Sequence, residues 1–170
     1  MLINLHTHRQ TKEGEKSIRS LYENFGEAAE PGYYSIGVHP CHISKPWLAQ
    51  FKEIKDHSRL SNVVAIGETG LDKICSTEWP LQQLSFTAHI QWAVFLQKPL
   101  IIHCVKAWDE VFAALTKEKV SVPVIFHGYA KNLQLAQQIT RQGYYLSFGK
   151  ALEQERLQQV LNAIPVNQFF

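Results

Sequence analysis

No apolar run in the chain approaches the roughly 18 residues that a membrane-spanning helix needs. The N-terminus also lacks the basic-then-apolar pattern of a signal peptide. Cysteine is scarce. The three present (Cys41, Cys75, Cys104) are odd in number and form no CxxC pair, which fits reduced thiols in a cytoplasmic compartment. Strong charge of either sign is missing as well: the formal net charge is +2, so nothing in the balance demands nucleic acid or a membrane surface, although a local basic patch is compatible with it. There is no low-complexity segment. What remains is 170 residues, 45% of them hydrophobic, enough for one domain over 1–170 with a sizeable core and too few for two.

Apolar runs of strand character alternate with amphipathic helical ones almost from end to end. Strands are expected at Leu2–Leu5, Tyr33–Val38, Asn62–Gly67, Pro99–Cys104, Ser121–Phe126, Tyr144–Phe148 and, starting late, Val166–Phe170. The polar stretch after the first strand contains an expected helix at Ser17–Ala29, closed by Pro31-Gly32. Ser44 is placed as an N-cap before a stripe of Trp47, Leu48, Phe51 and Ile54. The longest helix, Pro80–Gln97, carries Leu81, Leu84, Ala88, Trp92 and Phe95 at helical spacing. Further helices follow at Trp108–Lys119, Asn132–Gln142 (stopped by Gly143) and Glu153–Ala163. Strand–helix alternation with short connections means parallel strands and right-handed crossovers. Six or seven such units suit a TIM-type (β/α) barrel, C-terminally truncated with about seven strands; a doubly wound open sheet is the alternative.

Function in such folds gathers at the C-terminal ends of the strands. Those ends carry His6 and His8, then His39, Glu68, His103 and His127. A His-x-His pair alone carries little, because it also occurs at tags and surfaces. Four imidazoles (His6, His8, His103, His127) and the Glu68 carboxylate converging on one mouth make a binuclear ligand set. Such donors suit Zn²⁺, Mn²⁺ or Fe better than Mg²⁺, which prefers oxygen. His39 and His42 flank Pro40-Cys41, and either could contact substrate instead. His57 and His89 fall on expected helices as solvated or core-edge residues, and Cys104 should point away from its neighbour His103 into packing.

In order, His6-Thr7-His8, Gly37-Val38-His39-Pro40, Gly67-Glu68-Thr69-Gly70-Leu71-Asp72, Ile102-His103 and Phe126-His127-Gly128 resemble the TatD-type metal-dependent hydrolases, a branch of the amidohydrolase-like barrels. The segment from Gln82/Gln83 through Pro99 matches the linking helix. The resemblance covers essentially the whole chain. It implies two divalent ions (Zn, Mn or Mg), one on His6 and His8, the other on His103 and His127, with Glu68 bridging them. It also implies cleavage of DNA phosphodiester bonds by metal-activated water.

The family's further aspartate, at the end of strand seven, has no counterpart before Asn167-Gln168-Phe169-Phe170, so the natural protein is expected to continue beyond Phe170. Val105-Lys106 stands where many members carry arginine-aspartate, and Gly128-Tyr129 where cysteine-phenylalanine is common. Lys106 is therefore a candidate phosphate contact beside His39, and Asp72 a candidate to orient a ligand histidine or cap its loop. A small-molecule amidohydrolase and an inactive metal-binding scaffold are the competing functions. Glu68 in the bridging slot, where amidohydrolases often use a carbamylated lysine, favours the phosphodiesterase.

Overall fold

The computed structural model describes residues 3–9, 14, 16–43 and 46–170. Among them, seven strands lie in sequence order in one sheet, each parallel to its neighbour. They are β1 (Ile3–Thr7), β2 (Lys16–Leu21), β3 (Tyr33–Ile36), β4 (Val63–Asp72), β5 (Leu100–Val105), β6 (Val124–Phe126) and β7 (Tyr145–Leu146). Helices α1 (Trp47–His57), α2 (Trp79–Leu96), α3 (Trp108–Lys117) and α4 (Leu133–Arg141) fill the crossovers from β3 to β7, and α5 (Glu155–Asn162) follows β7. An unbroken parallel order is the arrangement of a (β/α) barrel rather than a doubly wound sheet, whose order reverses.

Alternation along each strand separates two cores. Ile66, Leu100, Ile102, Val124, Phe126 and Leu146 face the helices. Ala65, Ile101 and Ile125 point the other way into a smaller cluster that Leu5 of β1 and Tyr145 of β7 both join. Strands at opposite ends of the order share that cluster, so the sheet curls on itself. Leu2 and the Ser44 cap lie outside the described residues.

Three expectations are corrected. Residues 17–29 are not a helix: β2 occupies 16–21, and a 3₁₀ turn follows at Phe25–Ala29. Ser17 and Ser20 are buried polar residues within β2, so the strand shows no apolar alternation, and pairing with β1 and β3 decides its state. The expected last strand at Val166–Phe170 is present only as a parallel bridge between Leu146 and Phe169. Finally, Cys41 and Cys75 are joined as a disulfide although 34 positions separate them, because the turn after β3 meets the loop after β4 with a Cα–Cα distance of 5.2 Å. Cys104 is the free cysteine.

The inner face of α2 also differs from its apolar stripe. Leu84 and Phe95 are 52% and 64% exposed, whereas Gln82 and His89 are buried with Phe86, Ile90 and Ala93. Both polar residues are inside because each satisfies backbone groups at a strand end. Gln82 Oε1 accepts from the Asp72 amide at 2.9 Å, and its Nε2 donates to the Asp72 and Thr77 carbonyls at 3.0 and 2.9 Å. His89 Nε2 accepts from the Val38 amide at 3.1 Å while Nδ1 lies 2.7 Å from the Ser85 carbonyl. His57, by contrast, sits on α1 with Nδ1 2.9 Å from the Glu53 carbonyl.

Burial lowers the His89 pKa to about 4, against the hydrogen bond that its Nδ1 donates to the Ser85 carbonyl, which raises it. Between that value and about 6.5 the unfolded chain binds the extra proton, so stability rises with pH. The His89 contribution is complete above about pH 6.5 and is lost as pH falls towards 4, on the order of 3 kcal/mol. Urea unfolding of the metal-free chain at pH 7 and pH 4.5 should show a loss of stability that is smaller in His89→Gln, the difference between the two chains being the His89 share.

Candidate metal centre

Glu68 stands at a bulge in β4. The four residues from Ile66 to Thr69 span three on β5, from Leu100 to Ile102, and an extra residue of this kind re-aims a side chain. Here the carboxylate, 5% exposed, is turned into the mouth. A similar irregularity between Asn4 and Thr7 of β1 lies beside His6. The Glu68 amide donates to Ser20 Oγ at 3.4 Å, which ties the bulge to β2.

Around the carboxylate the imidazoles divide by oxygen. Oε2 is 3.1 Å from His6 Nε2 and 3.7 Å from His8 Nε2, and those two nitrogens are 3.1 Å apart. Oε1 is 3.0 Å from His103 Nδ1, 3.9 Å from His39 Nε2 and 4.0 Å from His127 Nε2. The donor atoms of His6, His8 and Glu68 lie within 4.8 Å of one another, as do those of His39, Glu68 and His103. His127 stacks beside His6 with ring centroids 3.8 Å apart. All six residues expected at strand ends are thus brought together, although Glu68 and His103 lie within β4 and β5, which run on to Asp72 and Val105; Lys106 is exposed and does not line the pocket.

That pocket, about 480 Å³, is lined by His8, Tyr22, His39, His42, Glu68, His103 and His127. Tyr22 follows β2 directly and escapes notice in the sequence because that strand reads as a helix. Asp72 combines two expected roles. Its Oδ1 accepts from the Ile74 amide at 2.7 Å, capping the loop, and its Oδ2 lies 2.9 Å from His103 Nε2.

Protonation follows from these neighbours. Burial pushes the Glu68 pKa up, but hydrogen bonds from His103 and His6 and the nearby imidazoles outweigh it and hold the carboxyl well below its usual range. His39 falls to about 4 through burial and repulsion from His103, and His127 to about 4 through burial and repulsion from His6. Burial alone would lower His103 too, yet its two carboxylate partners raise it. At neutral pH the mouth therefore holds an ionised Glu68 carboxylate beside neutral His39 and His127 imidazoles, the forms that bind metal. His6 Nδ1 is buried without a hydrogen-bond partner among the described residues. Ring nitrogens facing each other about an anion, with one buried nitrogen orphaned, fit a divalent cation.

His39 differs from the other imidazoles. Its Nδ1 accepts from the Cys41 amide at 3.2 Å, so the ring proton of the neutral form sits on Nε2, facing the pocket as a donor.

The model of TatD-related DNases matches residues 3–170. The chain belongs to the TatD-related DNase family. It is 33% identical over 135 residues to the uncharacterized metal-dependent hydrolase YcfH of Escherichia coli K12, covering 76% of this chain and 49% of that protein. It is 32% identical over 166 residues to the 3'-5' ssDNA/RNA exonuclease TatD of Yersinia pseudotuberculosis, covering 91% of this chain and 63% of that protein. The crystal structure of YjjV, a TatD homolog from Escherichia coli K12, superposes with a TM-score of 0.78 at 24% identity, over 91% of this chain and 65% of that one. The fold is thus that of TatD proteins, and this chain spans about half to two thirds of the length of these relatives. No helix among the described residues is long and apolar enough to cross a membrane.

Proposed function

We propose that this chain carries the divalent-metal centre of a hydrolase that cleaves phosphodiester bonds of DNA. The observation that carries the proposal is the division of the Glu68 carboxylate. One oxygen faces His6 and His8, and the other faces His103, His39 and His127, the disposition a bridging ligand needs. His6 and His8 would hold one ion, His103 and His127 the other. Ions held there would supply Lewis acidity and an acidified water.

The chain's own residues do the rest. Asp72 fixes the His103 ring, as carboxylates do for ligating histidines. His39, with its proton on Nε2, donates to a phosphate oxygen seated in the pocket, and Lys106 at the exposed end of β5 meets phosphates of a strand running beyond it. The name of the Yersinia relative favours single-stranded nucleic acid as substrate.

The test is cleavage of an end-labelled single-stranded DNA and of a simple aryl phosphodiester with Mn²⁺, Zn²⁺ or Mg²⁺, and with chelator. Metal-dependent cleavage abolished by chelation is the expected result. Amide or lactone turnover without phosphodiester cleavage would establish the amidohydrolase instead, and bound metal with no turnover would leave a scaffold. His39→Ala should raise KM for DNA about 10- to 100-fold, the worth of a hydrogen bond to a charged group, with bound metal unchanged. His127→Ala should lose metal. Metal analysis beside steady-state kinetics separates the two.

A further inference from the structure

A second group of metal-ligating side chains lies on the rim, outside the histidine cluster. The donor atoms of Cys41, Asp72 and Cys75 are within 4.8 Å of one another, with Asp72 Oδ2 3.8 Å from Cys41 Sγ. Nothing about these residues is improvised by the loop. The Asp72 backbone is clamped on both sides by Gln82, its Oδ1 is held by the Ile74 amide, and Cys41 is anchored through its amide to His39. Cys41 is exposed and Cys75 half-buried, which leaves an entry path.

A plain structural cross-link gains nothing from a buried carboxylate against its sulfur. Once the bond opens, two thiolates and Asp72 would gather three negative charges in one place, which is unfavourable unless a cation neutralises them. Two sulfurs and one carboxylate oxygen supply three ligands of a tetrahedral site and leave the fourth open to water. The sulfurs make this set softer than the imidazole–carboxylate set next to it.

We propose that the reduced Cys41–Cys75 pair forms, with Asp72, a separate rim site for a soft divalent ion such as Zn²⁺ or Cd²⁺, and that the disulfide is its closed, metal-free state. Opening consumes a dithiol reductant. Two electrons and two protons pass to the disulfide, the S–S bond breaks, two thiols form, and the reductant becomes a disulfide. Metal uptake then releases the two thiol protons. Because Asp72 Oδ2 also meets His103 Nε2 at 2.9 Å, an ion on the rim draws on an oxygen that otherwise orients the histidine cluster. The rim site stands independently of whether the histidine centre cleaves DNA.

The test is anaerobic titration with Co²⁺ and Cd²⁺ of the chain, dithiol-reduced and desalted, followed by sulfur-to-metal charge-transfer absorption, a band that imidazole ligands do not produce. The expected result is one additional ion per chain with that band in the reduced chain and in Cys104→Ser, and none in the oxidised chain. Cys104 is a fit control because burial pushes its thiol up to about 12. Cys41→Ser/Cys75→Ser should lose the band, and Asp72→Asn should weaken binding about 10-fold or more. Absence of the band in the reduced chain, or its survival in the double serine variant, would overturn the proposal. The oxidised-against-reduced comparison uses one sequence and holds even if the double variant fails to fold.

Discussion

Glu68→Gln should abolish hydrolysis and weaken metal binding by more than about 100-fold, beyond what loss of an outer-shell partner costs. The substitution keeps the size of the side chain and removes its charge. In the native chain that charge has both oxygens engaged by imidazoles, from 3.0 Å to His103 to 4.0 Å to His127, at a side chain almost sealed from water. An amide offers one weak acceptor where the carboxylate offers two strong ones, so neither set of histidines keeps its shared anion. The fold should persist, because the amide of residue 68 still donates to Ser20 Oγ and the surrounding cluster is unchanged. Metal content and circular dichroism of the purified variant check both halves. A variant that retains full metal and loses only turnover would make Glu68 a group acting on substrate, not a ligand.

Gly70→Ala should be the most damaging single substitution to folding, costing about 4 kcal/mol or more. Gly70 pairs with His103 across β4 and β5, at a φ of 148° that side chains rarely adopt. A Cβ there would run into the carbonyl oxygen of His103. That obstacle is backbone in the middle of a ladder and cannot rotate away. Relief requires the two strands to part where one carries Glu68 and the other His103, so stability and metal binding should fall together. Gly26→Ala, with open space around its Cβ, is the matched control and should shift stability by less than about 1 kcal/mol. Urea midpoints of the two variants, measured side by side, test the difference.

Much of the site is legible in the sequence for one physical reason. In a parallel sheet, the residue that ends an apolar run is also the residue at the mouth, so His6, His8, His39, Glu68, His103 and His127 announce themselves one strand at a time. The same rule fails at β2. Its buried residues Ser17 and Ser20 are polar, its strand shows no apolar rhythm, and Tyr22 at its end goes unseen as a pocket residue. It fails again on α2, where apolar spacing selects Leu84 and Phe95. The face that packs is set by Gln82, which binds the backbone of Asp72 and Thr77, and by His89, which binds the Val38 amide from across the fold. The Cys41–Cys75 pairing depends on a meeting of two loops 34 positions apart, which no local spacing encodes. Long-range backbone partnerships, more than burial of apolar surface, separate the sequence pattern from the structure.

The most direct measurement of the central claim is a crystal of this chain soaked with Mn²⁺ or Zn²⁺ and examined by anomalous scattering at the metal edge. Metal peaks at coordination distance from Glu68, one beside His6 and His8 and one beside His103, are the predicted result. Anomalous density confined to the Cys41–Cys75 rim or to the surface, with the Glu68 carboxylate uncoordinated, would contradict it.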